Sequence, residues 1–169
     1  MDAHQVISSF SSFLHESSLS LANWLSILLP KTEKDWWEDC VLGSLSPAQR
    51  DCAVSNGFAK LSDLDFAALL RVASKSWYDL SAAASLPSIG RETVREMIYI
   101  DDSWSHRSSD IPDKDSVVHD LSTIRKFLGM TGGNQSVCED IEKLILDIGR
   151  SGIAAMPGPD RSCIEDKTP

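Results

Sequence analysis

Apolar residues recur along most of this chain at the three-and-four spacing of amphipathic helices. Val6, Ile7, Phe10, Phe13 and Leu14 fall on one side of Ala3 to Leu14, and Leu21, Trp24, Leu25, Leu28 and Leu29 form a second stripe. Two helices are expected there. The first is serine-rich and depends on packing, because serine competes for backbone hydrogen bonds. Pro30 is expected to stop the second, since proline has no N–H to donate. Thr32 reads as the N-cap of a short helix carrying Glu33 and Asp35 in its first turn, then Trp36, Trp37, Cys40 and Val41, and ending at Gly43. Ser46-Pro47 opens another, closed near Asn56-Gly57.

The clearest pattern runs from about Leu64 to Ala84, with Phe66, Leu69, Leu70, Ala73, Trp77 and Leu80 in helical period and Ser62 or Asp63 as cap. Leu86-Pro87 ends it. A helix from Ser88 to about Ser105 follows, with Val94, Met97, Ile98 and Trp104 on its apolar side. Pro112-Asp113 introduces a stripe of Val117, Leu121, Ile124 and Leu128, closed by Gly129 and Gly132-Gly133. A last helix carries Val137, Ile141, Leu144, Ile145 and Ile148 to Gly149. No stretch alternates long enough to argue a strand. The reading is an all-α bundle of about six to eight helices over residues 1–150. From Ser151 the chain turns polar, with Pro157, Gly158 and Pro159. Residues 151–169 are expected to be a tail or a linker into a longer protein.

With 42% hydrophobic residues in 169, the chain can fill a core. A net charge of −9 opposes non-specific nucleic-acid binding, because a surface that repels phosphate gains little from counterion release. RNA is therefore a disfavoured partner. Cys40, Cys52, Cys138 and Cys163 show no two-residue metal or redox spacing and read as reduced thiols of a cytoplasmic protein. Asp2, with no basic region before Val6, does not resemble an export signal, and the apolar run Trp24–Leu29 is too short to span a bilayer. No Gly-rich phosphate loop is present and no cofactor is expected.

Candidate chemistry concentrates between Arg91 and His106. Asp102 and His106 are four residues apart on a helix and can meet. A carboxylate there favours a charged imidazole. Arg95 and Tyr99 lie further up the same stripe. On position and spacing alone, a solvated helix end with an ordinary acid–histidine pair is the favoured account. Asp101, Asp102 and His106 offer too few ligands for a metal site. His119-Asp120 reads as a surface pair, His4 and His15 as isolated, and Trp36-Trp37 as a core element or an aromatic contact surface.

The stretch Val94-Arg95-Glu96-Met97-Ile98-Tyr99-Ile100-Asp101-Asp102-Ser103-Trp104-Ser105-His106 resembles the signature helix of HEPN domains. It is most similar to the branch with an Arg-Asn-x-Trp-Ala-His core, found in an RNA-surveillance endoribonuclease and in bacterial helicase-associated and phage-defence proteins. Trp36-Trp37, the run Leu61 to Phe66, Leu69-Leu70, Trp77, Asp115 and the helix Val117 to Leu128 agree in order. The resemblance covers roughly Leu21 to Gly129.

The resemblance implies a HEPN-like bundle and a homodimer through the Arg91–His106 helix, with Arg95, Tyr99, Trp104 and His106 at the contact. In the nucleases of that family, paired Arg and His residues form a metal-independent site across the dimer. His106 would be the acid or base on the ribose 2′-hydroxyl. The slot of the phosphate-clamping Arg, however, holds Asp101, followed by Asp102 on the polar position. Losing such a clamp costs about 2.7–4 kcal/mol in comparable anion sites, before repulsion is added. Arg107 points about 100° away around the helix, and Arg95 sits about 16 Å up the axis.

The implied reading is a degenerate HEPN domain acting by protein contact, within a larger chain or beside a partner in an RNA-linked or phage-defence system. One alternative is an active endoribonuclease using His106, Asp102 and either Arg95 or Arg107. Another is an antitoxin-like inhibitor whose acidic surface imitates nucleic acid.

Overall fold

A single helix, α1 (Ala3–Thr32), occupies the ground where the sequence predicts two. It belongs to a computed structural model that describes residues 2–107 and 110–153. Asp2 and Gln5 close a capping box at its start. The serines do not interrupt it. Ser17 is buried, and its hydroxyl donates to the Phe13 carbonyl at 2.8 Å, so no polar group is left unpaired. Pro30 lies in the final turn, where it removes only one helical hydrogen bond before the helix ends. Thr32 closes α1 rather than capping the next helix: its hydroxyl donates back to the Leu29 carbonyl.

The expected helix around Trp36-Trp37 is instead a π-helical turn, Trp37–Val41, followed by a 3-10 turn, Leu42–Ser44. The two indoles are half-buried and meet edge to face at 5.8 Å. Next comes α2 (Pro47–Ser55), with a Ser46/Gln49 capping box and a left-handed Gly57 beyond it.

The long helix expected over Leu64 to Ala84 is two, α3 (Phe66–Lys75) and α4 (Trp77–Ala84). Ser76 breaks the run with φ −93° and ψ 11°. The cap of α3 is Asp65, whose carboxylate accepts the Ala68 N–H at 2.8 Å. Asp63 serves the preceding turn instead, accepting the N–H groups of Ala59 and Lys60.

Three helices complete the fold: α5 (Ile89–Ser105), α6 (Lys114–Thr131) and α7 (Gln135–Ser151). Asp113 caps α6 and Asn134 caps α7. α6 runs through Gly129 and stops at Gly132, in the left-handed region. α7 runs past Gly149, so Ser151 ends a helix rather than beginning a tail, and Ile153 still packs on the core. The expected proline-glycine segment and Cys163 lie outside the described residues.

The described residues thus hold seven α-helices, and no strand occurs among them. α1 is the spine, touching α3, α4, α5, α6 and α7, while α5 packs against α3 on one side and α6 on the other. Phe10, Leu21, Leu25, Leu69, Leu80, Met97, Leu121 and Phe127 are fully buried around it. Each such side chain stabilises the fold by about 1.5–3 kcal/mol relative to exposure. Arg125 of α6 pairs with Glu142 of α7 at the surface. Among the described residues no helix is long and apolar enough to cross a membrane.

Candidate functional site

A concavity of about 890 Å³ runs between α3 and α5. Helical periodicity builds its α5 wall. Val94, Met97, Ile100 and Trp104 turn into the core, so Arg95, Ile98, Tyr99, Asp102 and His106 rotate outward together. Ile98, expected on the apolar side, is 41% exposed and lines the groove, while Ile100 takes its place in the core. Tyr99 is 70% exposed. The α3 wall supplies Asp65, Phe66, Leu70, Arg71 and Lys75. Arg71 is anchored by donating from Nε to the Ser44 carbonyl at 2.8 Å.

The groove's lining mixes three carboxylates, Asp65, Asp101 and Asp102, with the cations Arg71, Lys75 and Arg95. Burial raises the pKa of the Asp101 carboxyl above the usual carboxylate range, and Asp65 and Asp102 push it further. The Ser105 hydroxyl, donating to Oδ1 at 3.2 Å, and nearby His106 oppose that rise. Asp102 and His106 line the same groove, but no hydrogen bond or ion pair joins them among the described residues. Nor do three His, Cys, Asp or Glu side chains converge there as a metal site. Arg95 reaches back to Glu92 at 3.1 Å in an exposed pair.

Two of the expected site residues lie elsewhere. Trp104 is buried within the chain's own core instead of standing on a contact face. It stacks on Phe10 with ring centroids 3.6 Å apart and planes within 7°, and its Nε1 donates to the Asp120 carboxylate at 2.8 Å. That bond also moves Asp120 from the expected surface pair to a buried acceptor, leaving His119 outside the core. Arg107 does not reach the groove. Its guanidinium lies over the Trp104 ring, 5.2 Å from the centroid, and donates to the Asp110 carbonyl at 2.9 Å. It lines a separate depression with Tyr99, Ser103, His119 and Asp120. Its Nε meets no acceptor among the described residues.

The groove therefore brings together Arg95, Tyr99, Asp101, Asp102 and His106, which spacing alone suggested. It adds the α3 wall and Gln49, which spacing could not supply because they reach α5 only through tertiary packing. Ile98 and Tyr99 are the exposed large apolar side chains of its lining. No protein-family model, curated protein or solved structure matches the chain.

Proposed function

We propose that this chain is a protein-interaction module that pairs with a second copy through the exposed face of α5. In this reading it is a HEPN-type bundle that has lost nuclease chemistry and keeps the signature helix as a docking element, serving an RNA-linked or phage-defence assembly. One observation carries the proposal. Asp101 stands where a nuclease of that family has its phosphate clamp, and it shares a groove with Asp65 and Asp102. A tetrahedral anion entering there would meet like charge where the transition state needs a cation.

A second reading, a metal-independent endoribonuclease, draws on Arg95 and His106 lining the same groove. In it His106 would move the proton and Arg95 would hold phosphate, against the repulsion of the groove's carboxylates.

One pair of measurements separates the two. Sedimentation of the purified chain reads its oligomeric state, and labelled RNA incubated in chelator reads cleavage. The module reading expects a dimer and no cleavage above that of His106→Ala. A monomer at all concentrations would overturn it. Cleavage that survives chelation and vanishes in His106→Ala would replace it with the nuclease.

A further inference from the structure

α2 buries less of itself than any other α-helix among the described residues. Of its nine residues only Ala53 is buried, and that side chain brings a single methyl group to the core. Arg50, Asp51 and Cys52 face solvent, and Val54 is 63% exposed. The chain is fixed on both sides of this helix. Leu42, Ser44 and Leu45 are buried before it, and beyond it Phe58 packs against the core and Leu61 is buried. Gly57, in the left-handed region, makes the turn between α2 and Phe58. A helix shorter than about 12–15 residues is marginal in water on its own, so α2 keeps its shape through its capping box and its seat on the body.

One side chain ties this stretch to the groove. Arg71 of α3 lines the groove, and its Nε donates to the Ser44 carbonyl, two residues before the Ser46 cap of α2. From α2 itself, Gln49 lines the same groove, while its Oε1 accepts the Ser46 N–H. Moving α2 away therefore takes Gln49 out of the wall and opens the groove on that side. Arg71 also serves both places, so an occupant that turns its guanidinium into the groove takes the donor from Ser44. Local openings arise where few apolar contacts are buried, and the lids of binding clefts are drawn from such segments. We propose that residues 46–57 form a flap on the α3–α5 groove that opens as a unit between Leu45 and Phe58, with the Arg71–Ser44 hydrogen bond as its latch.

The test is hydrogen exchange read by mass spectrometry on the full chain, for the parent and for Arg71→Met. Methionine keeps an unbranched stem and removes the donor to Ser44. In the parent, the α2 amides should exchange about tenfold or more faster than those of α3 and α5, each measured against its unstructured rate. Arg71→Met should speed exchange in α2 by a further factor of roughly three to ten and leave α6 and α7 unchanged. Circular dichroism confirms the helical content of the variant. Should Arg71→Met fail to fold, Arg71→Lys takes its place, since it keeps the charge and loses the Nε donor.

Fast exchange confined to α2 that rises when the donor is lost supports the latched flap. Protection of α2 equal to that of α3 and α5 in the parent overturns it. Fast exchange in α2 that neither substitution of Arg71 changes overturns the latch, and the proposal with it. A rise spread over every helix means that the whole fold opens rather than the flap, and it also overturns the proposal.

Discussion

Gly90 offers a test in which two well-characterised effects oppose each other. It is the second residue of α5 and is buried. A Cβ placed there would stand 2.7 Å from two ring carbons of Trp77 and 3.0 Å from the sulfur of Met130. Ordinary carbon contacts lie at about 3.5–4.0 Å, so the overlap with the ring is on the order of 1 Å. The indole has little room to retreat. It is 6% exposed and stacks on Trp24 at 6.5 Å. Overpacking of this kind costs about 1–3 kcal/mol. Against it stands the better helix propensity of alanine, at most about 1 kcal/mol. The net expectation for Gly90→Ala is a loss of about 1–2 kcal/mol, or a Tm lower by about 2–8 °C at this chain length.

Gly129→Ala and Gly149→Ala are the controls. Both glycines lie inside helices, and a Cβ would meet nothing within 4 Å. Propensity alone then acts, and each should gain about 0.5–1 kcal/mol. Urea and thermal melts of the three variants side by side decide the matter. A Gly90→Ala protein as stable as its parent, with both controls stabilised, would refute the packing argument.

Further expectations concern single side chains. Trp104→Phe keeps a ring against Phe10 but leaves the Asp120 carboxylate without its donor, so stability should fall by about 2–3 kcal/mol with the oligomeric state unchanged. A changed oligomeric state with unchanged stability would return Trp104 to an interface. Because the folded protein raises the pKa of Asp101, its ionised form is penalised once the pH exceeds that raised value, and the penalty disappears below the ordinary carboxyl range near about 3.9. Asp101→Asn should therefore melt higher than the parent at neutral pH and converge with it in acid. An advantage that grows in acid would contradict the assignment. Burial raises the thiol pKa of Cys40 and Cys138, whereas Cys52 is exposed. Alkylation followed by peptide mapping should label Cys52 in the native protein and reach the other two only in denaturant.

How far the sequence carried the structure depends on which force decided each position. The stripes of α5, α6 and α7 were legible because burial follows the helical period there, as with Val94, Met97, Leu121, Ile124, Ile141 and Ile148. Helix boundaries were less so. Propensity argues against the serines of α1, yet Ser17 satisfies its hydroxyl on the preceding turn, and Ser20 reaches Thr131 of α6 at 2.7 Å, a contact invisible in local sequence. Ser76 breaks a run that carries no glycine or proline to mark it. Spacing placed Arg95, Asp102 and His106 on one face, but not Asp65 and Lys75 opposite them, since only packing of α3 on α5 brings those into register. Helical period set Trp104 on the apolar side of α5, and the ring does turn inward to Phe10 and Asp120; only the motif reading put it at a contact, because a motif position says nothing of depth.

The reach of α1 has a consequence for biosynthesis. This helix leaves the ribosome before any of the elements that cover it, and α6 and α7, which close over its flank, are translated more than eighty positions later. At about 5–20 residues per second the nascent polypeptide carries a bare oily ridge for roughly 4–16 s. Until α6 and α7 emerge, that flank of α1 has only solvent, or a chaperone, to cover it.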